Sequence, residues 1–217
     1  MNRLELQGIA IRPLPTGQPL FAPLSLTIAP GAVATLLGPS GIGKSTLLAF
    51  IGGHLGQGWQ TEGKVRLMGR DVTQLRADHR RIGMLFQDAV LFPHLSVGDN
   101  LAFGLTPSLR GRATRRAAVE AALDQAGLSG FHDRDPATLS GGQKARAALM
   151  RALLADPLAL LLDEPFSKLD PALRAEMRGF VFDHARARAI PVLMVTHDPE
   201  DAKAAAGPLI RLTPPKR

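Results

Sequence analysis

The sequence predicts an α/β fold with a mostly parallel core sheet, an N-terminal antiparallel β portion and an inserted helical segment. Two continuous apolar runs, residues 158–162 and 192–195, are typical of strands that are buried on both faces of a parallel sheet. A long helical pattern at residues 171–188 separates them. Near the N-terminus, residues 4–11 alternate apolar and polar side chains and residues 24–28 follow as a partner, which indicates an antiparallel hairpin.

The predicted helical insertion interrupts this alternation of strands and helices. One helix is expected at residues 114–127, with Thr114 as its N-cap and Gly127 as its C-cap, and a second at residues 140–155. Both lie between a predicted strand at residues 82–86 and the buried run at 158–162. A strand at residues 64–68 and a short helix at 199–206 complete the prediction.

A phosphate-binding motif of the form G-x-x-x-x-G-K-[ST] follows the strand-like run 33–37. Its residues are Gly38, Pro39, Ser40, Gly41, Ile42, Gly43, Lys44, Ser45 and Thr46. Glycines let successive backbone N–H groups point into one concavity, and the next helix directs its N-terminus to the same place. Lys44 adds a charge for the outer phosphates, and the Ser45 hydroxyl can bind Mg²⁺. A glycine-rich turn alone explains neither the Lys-Ser pair nor three glycines.

Four predicted strands end on residues suited to the same chemistry. The sets that follow these strands are the phosphate loop, Gln87, the pair Asp163 and Glu164, and His197. In open α/β sheets, ligands bind beyond the carboxyl ends of the strands. We therefore expect all four sets to meet at one edge of the sheet.

Asp163 and Glu164 are adjacent carboxylates at the end of a buried strand, where they repel each other unless a cation lies nearby. Mg²⁺ would relieve that cost, with Asp163 holding the metal directly or through water and Glu164 orienting or deprotonating the attacking water. The alternative is a turn or helix-cap pair before Pro165. At the same edge, His197 is a candidate γ-phosphate contact, although a single histidine is more often structural.

A second glycine-containing helix start lies at residues 139–143. Ser140 at the N-cap and Gln143 at the third helical position predict a capping box. Gly141 and Gly142 cost about 1 kcal/mol each relative to Ala in a helix, and a cap does not need them. Because bare N–H groups at a helix N-terminus bind anions, these four residues predict a second phosphate-binding end.

Together these motifs resemble those of the ATP-binding subunits of ABC transporters, in the same order and over essentially the whole chain. The matching segments are Walker A at 38–46, the Q-loop at Gln87, the signature at 139–143, Walker B at 158–164, the D-loop at 167–170 and the switch histidine at His197. Residues 83–105, 135–154 and 160–169 are most similar to the short YnjD-type subunits of bacterial importers. The resemblance implies a P-loop ABC ATPase fold.

The resemblance implies a single ABC ATPase domain over residues 1–217, with a helical signature subdomain at 90–156 and no C-terminal regulatory domain. ATP and Mg²⁺ are the implied cofactors, in a homodimer that places each ATP between the Walker A of one subunit and the signature of the other. The implied roles are Glu164, His197 and Gln87 in catalysis, Ser45, Gln87 and Asp163 at the metal, and residues 38–46, Ser140, Gly141, Gly142, Gln143 and Asp170 at the nucleotide.

The segment from Asp88 to Leu105 is too apolar for a simple loop and too broken for a strand. The residues alone leave two interpretations open, a core-facing connection or an exposed patch that docks a partner. The resemblance favours docking to integral-membrane permease subunits at the cytoplasmic face of the inner membrane. A substrate-binding protein would then be an indirect partner.

Composition limits the other classes of function. The longest apolar stretches are far below the ~18 residues of a membrane-spanning helix, and the chain has no cysteine for disulfides or thiolate metal sites. The net charge of +7 suggests a non-transport ABC ATPase acting on nucleic acid or ribosomes as the alternative. Its arginines are scattered, however, so no nucleic-acid partner is expected. The densest group comprises Arg110, Arg112, Arg115 and Arg116.

One feature departs from the family pattern. The family usually stacks adenine on an aromatic side chain in the early loop, but residues 12–17 contain none and Phe21 falls too late. A weak base contact is therefore expected. The transported substrate is not specified by the sequence.

Overall fold

The computed structural model describes residues 2–15, 17–86 and 90–215. Nine strands lie within these ranges: β1 Leu4–Pro13, β2 Leu24–Ile28, β3 Val33–Leu37, β4 Trp59–Leu67, β5 Arg70–Asp71, β6 Ile82–Leu85, β7 Ala159–Asp163, β8 Val192–Val195 and β9 Leu209–Arg211. The α-helices in the same ranges are α1 Lys44–Gly52, α2 Ala77–Arg80, α3 Val97–Gly104, α4 Arg112–Gln125, α5 Gly141–Leu154, α6 Pro171–Ala187 and α7 Pro199–Ala205.

The core sheet has five strands in the order β6-β7-β8-β3-β9. β3 pairs in parallel with both β8 and β9, and β7 pairs in parallel with β8. All residues of β7 and β8 are buried, as expected for central strands covered on both faces. The predicted mostly parallel sheet is therefore confirmed, but its edge strand β9 was not predicted.

The N-terminal sheet is antiparallel, with the order β2-β1-β4-β5. β1 pairs with β2 from Leu4 opposite Ile28, and with β4 as far as Pro13 opposite Trp59. The predicted hairpin is confirmed. β4 begins at Trp59, well before the predicted start at residue 64. Its first residues form a strand because they pair with the end of β1, and their partial exposure hides this strand in the sequence pattern.

Contacts divide the chain into two compact units. The first comprises Met1–Met84, Leu158–Glu164 and Val181–Arg217, within the described ranges. Its core joins apolar side chains of β1, β3, α1, β7 and β8, and many of these are completely buried. The fully buried members include Leu4, Leu36, Leu47, Leu161 and Leu193. This core fixes the carboxyl ends of β3, β7 and β8 relative to α1.

The second unit comprises Leu85–Pro157 and Pro165–Phe180, again within the described ranges. Here α3 packs against α4 and α5, and α4 packs against α5. α4 starts at Arg112, two residues before the predicted Thr114, and Gly111 at φ 89° is its N-cap. Ala126, not the predicted Gly127, is its C-cap.

Among the described residues, no helix has both the length and the apolar character needed to cross a membrane.

Candidate functional site

The phosphate loop joins the carboxyl end of β3 to the first residue of α1. Gly41 and Gly43 have φ values of 79° and 100°, which side chains with a Cβ rarely adopt. A Cβ on Gly43 would also lie 2.7 Å from Leu20 Cδ1. The loop therefore needs these two glycines for its own backbone path.

Lys44 lies at the N-terminus of α1 and points back over this loop. Its Nζ donates to the carbonyl oxygens of Gly38 at 2.8 Å and of Pro39 at 2.9 Å. The ammonium group is thus fixed beside backbone N–H groups at the positive end of the α1 dipole. Such an arrangement suits a polyphosphate anion.

A cavity of about 340 Å³ opens in front of the loop, within the first unit. It is lined by residues 37–40 and Lys44, and by Glu164, Thr196, His197 and Arg211. Three of the four predicted sets therefore meet at the carboxyl edge of the sheet. The fourth, Gln87, lies outside the described residues.

Asp163 ends β7 and is 5% exposed. Burial raises the pKa of its carboxyl group, with a smaller opposing effect from the hydrogen bond that the Ser45 hydroxyl makes with it. Two predicted metal ligands thus touch each other. No three His, Cys, Asp or Glu side chains form a metal cluster in the described ranges. Ser45 and Asp163 still fit Mg²⁺, which usually takes one or two protein oxygens and completes its shell with phosphate and water.

Glu164 adopts a left-handed backbone at φ 47°, and its N–H donates to the Val195 carbonyl at 2.9 Å. That bond ties the residue to the neighbouring strand β8 while its carboxylate faces the cavity. His197 Nδ1 lies 3.2 Å from Glu164 Oε1. The His197 side chain is 75% exposed, against 22% for Glu164. A strained, half-buried acid with an exposed histidine beside it is typical of a reaction site.

The position of His197 depends on the turn between β8 and α7. Thr196 Oγ1 donates to Asp201 Oδ2 at 3.0 Å and accepts from the Asp198 N–H at 3.1 Å. Asp198 in turn caps α7 by accepting from the Glu200 N–H at 2.8 Å. These bonds hold the backbone on both sides of His197.

The second glycine-containing helix start has the predicted capping box. The Ser140 N–H donates to Gln143 Oε1 at 2.9 Å, and the Gln143 N–H donates to Ser140 Oγ at 3.3 Å. A Cβ on Gly142 would meet Leu169 Cδ2 at 3.3 Å, whereas a Cβ on exposed Gly141 would meet nothing within 4 Å. The contacts of this chain therefore do not explain Gly141.

Asp170 lies in the same unit, directly before α6. Its Oδ1 accepts from the Leu173 N–H at 3.0 Å, so this carboxylate caps the helix. Asp170 and Glu176 both oppose the effect of burial, which lowers the pKa of Arg146 on α5. Arg146 also donates to the Ala126 carbonyl at the end of α4. This network positions α5 and the signature at its start.

The segment from Asp88 to Leu105 has features of both alternatives, a core-facing connection and an exposed patch. Asp88 lies outside the described residues, and α3 occupies the second half of the segment. Four side chains face the core: Leu91, Val97, Leu101 and Leu105. Val90 and Phe103, in contrast, are 65% and 69% exposed. The segment is therefore a packed connection that also presents apolar side chains at the surface.

Asn100 makes this irregular connection possible. Its buried amide accepts from the Phe92 N–H at 2.8 Å and donates to the carbonyls of Phe92, Leu95 and Ser96. Arg151 Nη2 donates to the Val90 carbonyl at 2.7 Å. Side chains rather than a regular ladder satisfy the backbone here.

Two arginines of the group at residues 110–116 have partners in the helical unit. Arg115 donates to the carbonyls of Leu109 and Ala102, and Arg116 forms ion pairs with Glu120 and Asp133. These arginines stabilise the helical unit, and the acidic partners reduce the positive field of the group.

Sequence reasoning missed Arg211, which ends the short edge strand β9 and lines the cavity. No motif marks it, because a three-residue strand carries no readable period. Phe21 is completely buried and offers no ring face to a base.

A model of the protein family described as ABC transporter matches residues 21–167. The ABC transporter ATP-binding protein YnjD of Escherichia coli K12 is 50% identical over 201 residues, which cover 93% of this chain and 91% of that protein. Thiamine import ATP-binding protein ThiQ of Cereibacter sphaeroides is 49% identical over 177 residues, covering 82% of this chain and 75% of that protein.

Another import ATPase and a solved structure are also similar to this chain. Fe(3+) ions import ATP-binding protein FbpC of Agrobacterium fabrum is 43% identical over 189 residues, which cover 86% of this chain but only 52% of that protein. The dimeric structure of a post-hydrolysis state of the ATP-binding cassette MJ0796, bound to ADP and Pi, superimposes with a TM-score of 0.84 at 28% identity. The match covers 97% of this chain and 94% of that one.

Proposed function

This chain belongs to the ABC transporter family as an ATP-binding subunit with ATPase activity, and we propose that it powers a bacterial import system through a separate membrane permease. One observation carries the proposed chemistry. A single cavity brings the phosphate loop together with Glu164 and His197, which follow two other strands of the sheet. A binding module without hydrolysis would not need the last two residues.

The phosphates of ATP bind along residues 38–46, where Lys44 and the backbone N–H groups neutralise their charge. Ser45 and Asp163 are the residues that would hold Mg²⁺. When bound, the metal would supply positive charge that offsets the negative charge of the phosphates. The raised pKa of Asp163 supports this assignment, because a nearby cation offsets the cost of a buried carboxylate.

Glu164 accepts the proton of the attacking water, and His197 contacts the γ-phosphate. The 3.2 Å separation between His197 Nδ1 and Glu164 Oε1 supports a joint action of the two side chains. Gln87 would complete the set as a further contact to the metal and the water.

The catalytic site is completed by a second copy of the chain, with ATP between residues 38–46 of one subunit and Ser140–Gln143 of the other. Exposed Gly141 leaves bare N–H groups and open space at a helix N-terminus, which fits a phosphate brought by another molecule. Asp170 lies near the same surface in the proposed homodimer. The relative bound to ADP and Pi is itself dimeric.

The permease docks on the segment from Asp88 to Leu105, at the cytoplasmic face of the inner membrane. Exposed Val90 and Phe103 on a well-fixed scaffold support this surface. ThiQ and FbpC support import, since their names assign them to the import of thiamine and Fe(3+). Because relatives with such different cargoes match this chain, we place the choice of cargo in the permease and a substrate-binding protein.

The replacement Glu164→Gln tests the chemistry. We expect ATP turnover to fall by about 10²–10⁴-fold, as for loss of a general base, while ATP binding is retained. Phosphate release measures turnover, and nucleotide titration measures binding. The control Glu62→Gln alters an exposed carboxylate on β4 and should leave turnover unchanged. Turnover near the unmutated rate in Glu164→Gln would contradict the role of Glu164.

The replacement Phe103→Ser tests the docking surface. In membranes that contain the cognate permease, we expect transport-coupled ATP hydrolysis to be lost, while basal hydrolysis by the isolated protein is unchanged. Met68→Ser is a matched control, because Met68 is 49% exposed in the β4–β5 turn. Stimulation by nucleic acid with a steep salt dependence, in place of stimulation by a permease, would favour the nucleic-acid alternative instead.

A further inference from the structure

The end of β9 packs directly against the start of the phosphate loop. Arg211 pairs with Leu37, the last residue before the loop, and the Leu212 N–H donates to the Leu37 carbonyl at 2.8 Å. A Cβ on Gly38 would lie 3.4 Å from the Leu212 Cβ. The backbone of Arg211 is therefore fixed beside the loop, even though its strand lies at the edge of the sheet.

The side chain of Arg211 is exposed and lines the same cavity as Lys44, Glu164 and His197. Within the described ranges, its guanidinium makes no hydrogen bond or ion pair. Buried Arg80 is different, because four hydrogen bonds to backbone carbonyls occupy its guanidinium. Arg211 thus carries a positive charge without a partner among the described residues, on a fixed backbone in the lining of the cavity.

The charges that face the cavity explain what Arg211 adds. Among the side chains that line the cavity, Lys44 and Glu164 carry opposite formal charges. Arg211 adds a second positive charge to this lining. Its planar guanidinium can also donate two parallel hydrogen bonds to a phosphate, which a lysine cannot do.

We propose that Arg211 is a nucleotide-contacting residue that binds the terminal phosphate of a nucleoside triphosphate and favours triphosphate over diphosphate. The inference rests on the function proposed for this cavity. The terminal phosphate is the relevant group because Arg211 shares the cavity with His197, which contacts that phosphate in the proposed reaction, and with Glu164, which acts on the attacking water. The residue thereby adds a specificity contact from β9, outside the sequence motifs.

The test compares the dissociation constants of the full-length protein for a non-hydrolysable ATP analogue and for ADP, both with Mg²⁺. In Arg211→Gln we expect binding of the triphosphate to weaken by about tenfold, equivalent to about 1.4 kcal/mol, and binding of ADP by less than about twofold. Arg211→Lys should retain part of the preference, because it keeps the charge without the planar fork. Measurement at low protein concentration separates nucleotide binding from any association of subunits.

The control variant is Arg70→Gln, which removes the same charge from an exposed position on β5. Its affinities for both nucleotides should equal those of the unmutated protein. The proposal is overturned if Arg211→Gln keeps the unmutated ratio of the two dissociation constants, either unchanged or after equal losses. Failure of the unmutated protein to bind either nucleotide would instead overturn the function proposed for the cavity, and the inference with it.

Discussion

The two glycine-containing helix starts differ in what explains their glycines. In the phosphate loop, Gly43 has a φ of 100°, and a Cβ there would collide with Leu20. In the signature, Gly141 begins an ordinary helix with a complete capping box, and a Cβ there would meet open space. The first glycine is required by the fold of this chain. The second costs helix stability without a contact in this chain that requires it, and the proposed phosphate contact from a second subunit would account for it.

The largest effect is expected for Gly43→Ala. The positive φ and the displacement of Leu20 should lower the free energy of unfolding by about 2 kcal/mol, and the distorted loop should lose ATP affinity. Chemical denaturation and nucleotide titration measure the two effects. A variant with unmutated stability and affinity would show that the loop does not need this glycine, and the comparison would fail.

The opposite outcome is expected for Gly141→Ala. Removing glycine from the exposed first turn of α5 should raise the free energy of unfolding by about 0.4–1 kcal/mol. ATP hydrolysis should nevertheless fall, because the methyl group occupies the space proposed for the phosphate of the second subunit. Chemical denaturation measures the expected gain in stability, and phosphate release measures the expected loss of turnover. An alanine variant that is stabilised and fully active would assign Gly141 no role beyond the cap.

A smaller effect is expected for Asp163→Asn, which should change stability and ATP hydrolysis in opposite directions. Asp163 has a raised pKa in the folded protein, so its ionised form destabilises the fold above the pKa of the unfolded chain. Asp163→Asn should therefore raise stability at pH 7, seen as a higher Tm, while Mg²⁺-dependent hydrolysis is lost.

The pH dependence gives the check on this prediction. Stability contributed by a group with a raised pKa is regained as pH falls through the folded pKa, so the gain from Asp163→Asn should shrink as pH is lowered from 7 towards about 4. Thermal unfolding at several pH values measures it. A gain that is independent of pH would contradict the assigned cost of ionised Asp163.

Sequence reasoning located the features that local chemistry determines. The capping box of Ser140 and Gln143 and the buried strands β7 and β8 could be predicted because each depends on neighbouring residues or on a short apolar run. The meeting of Glu164 and His197 beside the loop followed from one rule about the carboxyl ends of parallel strands.

What the sequence could not show depends on tertiary contacts. β9 has three residues with an exposed, half-buried, exposed pattern, so only its pairing with β3 identifies it as a strand. Arg211 was missed with it. The start of α4 was misplaced, because the φ of Gly111 determines it rather than the capping preference of Thr114. Asn100 likewise organises residues 90–96 through bonds that no periodic pattern indicates.

In the proposed dimer, two copies of this chain complete each ATP site. The molar mass of Glu164→Gln in solution tests this dimer, measured by light scattering with MgATP, with MgADP and without nucleotide. We predict that the mass of 23.1 kDa doubles with MgATP alone, and that adding Gly141→Asp abolishes the doubling while ATP binding persists. A protein that binds MgATP and keeps the mass of one chain would contradict the proposed dimer.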